Sequence, residues 1–311
     1  MHFVIYFIGK MQCLLRKVIT LEVYKVSEKL FDPIRHPFLC YRNVSNESSN
    51  APLIPYHRHD AYEIYLFLGG SMKMYIEQSC FSCETGDMFL ISPEQFHTCS
   101  CSADCEYDRV IINIKEELIR KLSYEDVYLA DCFRIDNVNQ IKKITLSARE
   151  REEFLKIFNE FQSVRTKEEY GYSLLINSYL TQILVFINRL FLSTQHDDAK
   201  NLMPPLIRDV MTYIQDHLSE QITLEDLSEK FFFNGKYISR RFKKYTGLTI
   251  RTYILDRRIA LAKKLLNNGC NVSEACYQSG FSDYANFIRS FTNFVGVSPG
   301  RYAKQISSQK Q

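Results

Sequence analysis

ISRRFKKYTGLT at residues 238–249 and FIRSFTNFVGVS at residues 287–298 are two versions of one pattern, and that repetition decides the C-terminal fold. A shift of 49 places lays Ile238, Arg240, Phe242, Gly247, Leu248 and Thr249 over Phe287, Arg289, Phe291, Gly296, Val297 and Ser298. Upstream the shift is 48, so that Asp226, Leu227 and Phe233 meet Glu274, Ala275 and Phe281. The second copy therefore carries one extra residue, which belongs in the turn between two helices. Each copy predicts two short helices around a tight turn, a helix-turn-helix. Thr223, with Asp226 three places on, starts the first helix, and Asn234 starts the next. In the second copy Asn271 stands three residues before Glu274, and Ser282 precedes Asp283. Apolar residues then recur at helical spacing, as Tyr237, Ile238, Phe242 and Tyr245, and as Phe287, Ile288, Phe291 and Phe294.

The opposite faces are polar. The first offers Lys236, Ser239, Arg240 and Lys243, beside Arg241 and Lys244, a set suited to phosphates and guanine edges. The second offers Tyr284, Asn286, Arg289 and Asn293, fewer cations and so more discrimination than raw affinity. One such helix is ordinarily a solvated face; two copies argue for a DNA-binding surface. Charge agrees. From Asn201 onward 16 Lys and Arg stand against 9 Asp and Glu, a net +7, while the first 200 residues hold 23 against 27, a net −4. Lys236 to Lys264 contains ten basic residues and one acidic, Asp256, as expected of a surface that displaces counterions from DNA. Between the repeats, Ile250 to Leu266 has neither Gly nor Pro and predicts a helix. At 1.5 Å per residue it spans roughly 25 Å, enough with its flanking turns to hold two recognition helices about one DNA turn apart.

These residues resemble the DNA-binding domain of the AraC/XylS family of bacterial transcription regulators. The likeness lies in the run from Arg258 to Leu266, in Gly280-Phe281-Ser282-Asp283, Phe287 and Phe291, and in Gly296-Val297-Ser298-Pro299 with Arg301 and Tyr302. Phe232 departs from the family pattern by standing where Gly is common, and Ala275-Cys276 and Thr292-Asn293 also differ from it. A left-handed backbone at Phe232 would cost about 1–2 kcal/mol. The resemblance implies a regulator that works with RNA polymerase at promoter DNA under the control of a small-molecule effector, carbohydrates being one class. It suggests activation, often of carbohydrate or stress genes, while repression is equally compatible with these residues.

From about Ile34 to Ile114, runs rich in Tyr, Phe, Ile and Val alternate with turn residues: Glu63–Leu68, Met72–Glu77, Met88–Ser92 and Arg109–Ile114. They predict a small antiparallel barrel. His57-Arg58-His59 followed by Glu63 and Gly70, then Gly86-Asp87, Pro93 and His97, is similar to the two motifs of the cupin barrel. In metal-binding cupins the matching positions, here His57, His59, Glu63 and His97, hold a divalent metal. Imidazole and carboxylate suit Fe, Mn, Ni or Zn. Ala51, Ser92, Glu94 and Cys101 depart from that pattern, and the favoured reading is an effector pocket with no metal and no cofactor.

Ten Cys include the cluster Cys80, Cys83, Cys99, Cys101 and Cys105. Cys80-Phe81-Ser82-Cys83 falls in an expected hairpin rather than in a zinc knuckle. The apolar run Phe3–Ile8 is too short to span a bilayer and is soon followed by Lys10, Arg16 and Lys17, so a cytoplasmic protein with reduced thiols and no membrane partner is expected. Met11 offers a second start. Two more helices are expected at Ser147–Val164, with a Ser147/Glu150 capping box and a stripe of Phe154, Ile157, Phe158 and Phe161, and at about Gly171–Leu192. The second is apolar around much of its circumference, which favours a homodimer interface over simple packing on the barrel.

The resulting fold class is α+β multidomain. An N-terminal extension (1–30) precedes a cupin-like antiparallel β-barrel (31–118) and a helical linker and dimerisation region (119–202). An all-α DNA-binding domain follows (203–305, helix-turn-helix 1 about 223–245 and 2 about 271–294, joined by a long helix), then a tail (306–311). The polar stretch Ser193–Asn201 with Pro204-Pro205 reads as the interdomain linker. The alternatives are a metal-dependent cupin enzyme or a redox or metal sensor. The sequence has no phosphate loop, dinucleotide fingerprint or convincing nucleophile triad, and an enzyme leaves the basic repeat unexplained.

Overall fold

The computed structural model describes residues 37–45, 55–93, 95–101, 106–135, 140–165, 169–193 and 201–309. The expected N-terminal extension, residues 194–200 of the linker, Ala51, Glu94 and Cys105 lie outside them. The chain divides into two compact units, residues 1–201 and 202–311.

The first unit contains two antiparallel sheets. Strands β1 (Phe38–Ser45), β2 (Tyr62–Gly69), β3 (Met72–Ile76), β4 (Ser79–Ser82), β5 (Asp87–Ile91), β6 (His97–Cys101) and β7 (Tyr107–Ile114) are followed by helix α1 (Glu116–Leu122) and strand β8 (Lys142–Thr145). One sheet has the order β1-β7-β2-β5-β8, the other β4-β3-β6. Alternation along the strands builds two cores from the larger sheet. Tyr65, Phe67, Phe89, Ile91 and Tyr107 point inward and pack against Met72, Met74, Ile76, Phe81 and Cys101 of the smaller sheet. The residues between them in sequence, Ile64, Leu66, Met88, Leu90, Val110 and Ile112, face the helices.

Two helices cover that outer face, α2 (Ala148–Arg165) and α3 (Tyr172–Ser193). The Ser147/Glu150 capping box is present, with Ser147 N–H donating to Glu150 at 2.7 Å and Glu150 N–H to Ser147 Oγ at 3.3 Å. Phe154, Phe158 and Phe161 of α2 and Ile176, Leu180, Ile183, Leu184 and Ile187 of α3 join the same core as the sheet. α3 is long and apolar enough to cross a membrane by length and composition, yet its most apolar side closes this core.

One expectation needs correction. The sequence predicts a barrel ending at 118 and a helical region over 119–202, whereas β8 comes from that span and forms the edge of the five-stranded sheet beside β5. Its short polar sequence, Lys-Lys-Ile-Thr, gives little strand signal. It is held by the buried Asp87 carboxylate, which accepts from Thr145 Oγ1 at 2.7 Å and from Glu84 N–H at 2.9 Å and pairs with Lys143 Nζ at 2.9 Å.

The second unit is all helical: α4 (Pro205–Asp216), α5 (Leu224–Phe231), α6 (Gly235–Thr246), α7 (Ile250–Asn267), α8 (Val272–Gln278), α9 (Tyr284–Val295) and α10 (Pro299–Gln309). Pro205 sits at the first helical position of α4, where its missing N–H costs nothing. Thr223/Asp226 and Asn271/Glu274 form reciprocal capping boxes, and Asn234 caps α6 through Lys236 N–H. The fourth cap is Asp283, accepting from Asn286 N–H at 2.6 Å, one residue beyond the expected Ser282. From cap to cap the second copy is longer by one residue, as the shift from 48 to 49 requires.

Candidate nucleic-acid interface and effector pocket

In the helical unit, α6 and α9 are the second helices of the two copies. Ile238 and Phe242 of α6, and Phe287 and Phe291 of α9, are fully buried. Phe242 meets Tyr253 of α7 edge to face at 5.3 Å, and Phe291 meets Tyr302 in the same way at 5.5 Å. Anchoring these faces turns the others outward. Lys236, Arg240 and Lys243 on α6 and Tyr284, Asn286 and Arg289 on α9 are exposed, and Ser239 is half-buried. Among the described residues no carboxylate pairs with Lys236, Arg240, Lys243 or Arg289. Four cations are thus left free for phosphates or base edges.

The two turns differ. Phe232 takes the left-handed conformation (φ 57°, ψ 31°) and is 92% exposed. Its counterpart, Gly280, has φ 89°. A Cβ there would lie 2.3 Å from the Leu218 carbonyl oxygen and 2.8 Å from Arg258 Nε. Arg258 Nε itself donates to Leu218 O at 3.0 Å, and its terminal nitrogen donates to Glu220 O, which ties α7 to the segment after α4.

In the β unit the structure brings His57, His59, Glu63 and His97 together. Backbone hydrogen bonds between His57 and His97, 3.1 and 2.9 Å, pin the loop before β2 to the start of β6. Each imidazole uses Nδ1 on a backbone carbonyl: His57 on Pro55 (3.1 Å), His59 on Ala61 (3.1 Å) and His97 on Gln95 (3.0 Å). A carbonyl only accepts, so Nδ1 carries the proton in all three rings and Nε2 is the working atom. Ligand atoms of the three rings lie within 4.8 Å of one another. Glu63 Oε2 is 2.6 Å from His59 Nε2 and 3.5 Å from His97 Nε2. His97 Nε2 is buried without a hydrogen-bond partner.

The electrostatics follow from this crowding. Burial raises the Glu63 pKa, but His97 and His59 outweigh it and hold the carboxyl well below its usual range. Burial also lowers His97, yet Glu63 outweighs it and its pKa is raised. His57 is pushed down to about 3 by burial and then by the His97 and His59 charges. The donor set fits a divalent cation, with imidazole nitrogens gathered within 4.8 Å of one another, an ionised carboxylate beside them and second hydrogen bonds fixing the rings.

The sequence reading missed two residues of the same interior. Asn113 lies opposite Glu63 in the β2/β7 register and is buried with Oδ1 unpartnered. Arg109, four residues earlier on that strand, shares its inward face. Isolated polar residues in an apolar strand carry no motif, and only the alternation about Val110, Ile112 and Ile114 points to them.

Among the described residues the cysteines form no further metal-binding group. Cys80 belongs to β4 and Cys83 follows it, Cys99 and Cys101 are on β6, and β3 runs between the two strands. All four are free thiols. Burial pushes Cys80 up to about 11 and raises Cys83 as well, which makes both poor thiolates.

Residues 47–184 match the AraC-like ligand binding domain, and residues 227–305 match a helix-turn-helix domain. The chain belongs to the AraC/XylS family of transcription regulators. It is similar to the HTH-type transcriptional regulator YbfI of Bacillus subtilis, 26% identical over 75% of this chain and 80% of that protein. It is also similar to the Msm operon regulatory protein of Streptococcus mutans, 24% identical over 80% and 86%. Among solved structures, an apo ToxT variant from Vibrio cholerae covers 88% of this chain and 98% of its own at 13% identity, with a TM-score of 0.39. As an AraC-type regulator the chain combines a ligand-binding domain with a DNA-binding domain.

Proposed function

We propose that this regulator reads promoter DNA with Lys236, Ser239, Arg240 and Lys243 in one major groove and Tyr284, Asn286 and Arg289 in the next. The observation that carries this reading is the pair of second helices, each anchored by buried apolar side chains, with Lys236, Arg240 and Lys243 turned outward on α6 and Arg289 on α9. The effector binds between the two sheets, at His57, His59, Glu63 and His97, and favours one arrangement of the protein over another, since equal affinity for both would shift nothing. The output is activation through RNA polymerase in the cytoplasm, without turnover of the effector; the raised thiols of Cys80 and Cys83 speak against a redox sensor.

The active form is a homodimer through α3. Leu174 (77% exposed) and Val185 (37%) lie eleven residues apart, about three helical turns, and so share one line, with Leu175 beside it. Leu174→Glu should leave a monomer in sedimentation velocity; an unaltered sedimentation coefficient would remove this face as the interface.

The deciding experiment captures genomic fragments on the full-length protein and footprints the tightest across a salt series. Two protected major-groove segments per protomer, about one turn apart, are expected. A steep salt slope with no preferred fragment defeats sequence-specific reading. Replacing both His57 and His97 with Ala should abolish the effector response and leave operator binding intact.

A second reading rests on the buried His97 Nε2, which makes no hydrogen bond and has only the longer 3.5 Å approach of Glu63, within the histidine cluster. His57, His59, His97 and Glu63 would hold a divalent cation, which would supply Lewis-acid coordination of an effector oxygen. One equivalent of metal in the purified protein, lost in His97→Ala, supports it; none after reconstitution with Zn, Mn, Fe and Ni defeats it.

A further inference from the structure

The interior face of the larger sheet has two chemically different ends. Alternation on β7 sends Val110, Ile112 and Ile114 to the helix side, and Tyr107 and Ile111 pack between the sheets. Arg109 and Asn113 therefore point inward too. Across β1, β7 and β2 the paired positions form successive rows: Asn113 with Glu63, then Tyr41 with Ile111 and Tyr65, then Asn43 with Arg109 and Phe67. Glu63 and Phe67 are four residues apart on one strand, so the carboxylate row and the Arg109 row are separated by roughly 13 Å.

The carboxylate end is already balanced, because Glu63 is engaged by His59 and His97. The other end is not. Arg109 makes one hydrogen bond, to the Ser45 hydroxyl at 3.1 Å, and among the described residues it has no acidic partner. Its guanidinium lies over the fully buried Tyr107 ring at 4.0 Å, and the Tyr107 hydroxyl is itself fixed on Met72 Sδ at 3.1 Å. Stacking holds the planar fork in place before any ligand arrives, so little freedom is lost when it binds. Arg109 is only part-buried. Tyr41 lies within electrostatic reach of both ends: its hydroxyl is pushed up to about 12 by burial and by Glu63, with Arg109 opposing. A part-buried guanidinium held flat on an aromatic ring, with no counter-charge among the described residues, is suited to bind an anion.

We propose that Arg109 is the specificity-determining residue of the effector pocket and binds a carboxylate or phosphate on the effector, whose body lies across Tyr41, Ile111 and Tyr65 toward the histidine end. This assignment rests on the reading of the space between the sheets as the effector pocket, and it narrows the effector to organic anions.

The test is a thermal-shift titration of the full-length protein with matched pairs, glucose 6-phosphate against glucose, citrate against glycerol and decanoate against decanol. A deproteinised extract of the source cells, before and after passage over an anion exchanger, is titrated alongside. Wild-type protein should be stabilised by charged members or by the untreated extract, and not by their neutral counterparts or the depleted extract. Arg109→Gln should weaken that binding by about tenfold or more while keeping the ligand-free melting temperature, and Arg109→Lys should retain part of it. The phosphate and carboxylate pairs separate the two anion types. Stabilisation by neutral compounds or by the depleted extract, or equal binding to Arg109→Gln, overturns the anion assignment and leaves the pocket standing. No stabilisation by any compound or by either extract overturns the pocket reading itself, and the anion assignment with it.

Discussion

The two helix-turn-helix copies share one backbone and reach it by different chemistry. In the second, Gly280 presses against the Leu218 carbonyl and Phe281 is buried in the core, 4% exposed. In the first, Phe232 holds the same left-handed turn in open solvent, and Phe233 is 47% exposed and stacks on Tyr237 at 5.6 Å. A left-handed position thus demands glycine only where another part of the chain comes close; where nothing does, a bulky residue survives at a cost of about 1–2 kcal/mol. The recognition faces diverge likewise. Between its caps α6 carries five cations and α9 one, Arg289; under the proposed reading the first copy supplies more phosphate attraction and the second more discrimination.

Breaking the turns gives the largest expected effect. Gly280→Ala should cost about 2–4 kcal/mol in chemical denaturation, combining left-handed strain with a clash against backbone that cannot rotate away. A cost below about 1 kcal/mol would mean that the 218–220 segment yields easily, and the contrast with Phe232 would collapse. Next come the arginines. Arg240→Ala and Arg289→Ala should each weaken specific binding by about 1–3 kcal/mol, and unchanged operator affinity in both would defeat the recognition-helix assignment. A finer comparison uses salt: Lys243→Ala should lower the slope of log affinity against log salt by about 1, while Asn286→Ala should alter base preference with the slope unmoved. Equal slope changes would erase the division of labour. The smallest effect is a gain. Phe232→Gly should stabilise the protein by about 0.5–1 kcal/mol, strain relief less the entropy of glycine, and a loss instead would show that the exposed ring has a partner.

What could be read from sequence follows the range of the forces involved. Helix caps and 3.6-residue periodicity are local, so α5 to α9 were legible, apart from the one-residue move of a cap from Ser282 to Asp283. The histidine cluster was legible because His57, His59 and Glu63 lie close in sequence and His97 stands in a second motif. β8 was not, because a four-residue polar edge strand is specified by Asp87, far away in the chain. Arg109 and Asn113 were not, because their meaning comes from the partners across β1 and β2 rather than from neighbours in sequence.

Helix α7 carries a consequence for the DNA. It has no Gly or Pro, lends Tyr253 to the packing of the first copy and Ile259, Ala262 and Leu266 to that of the second, and buries Arg257 and Lys263 along the way. Neither copy can swivel without disturbing the same rod. If both copies dock as proposed, the operator is read as a single word: one base pair inserted between its two halves would turn them by about 35° out of phase, and a whole further turn would restore the phase only by moving the second half out of reach.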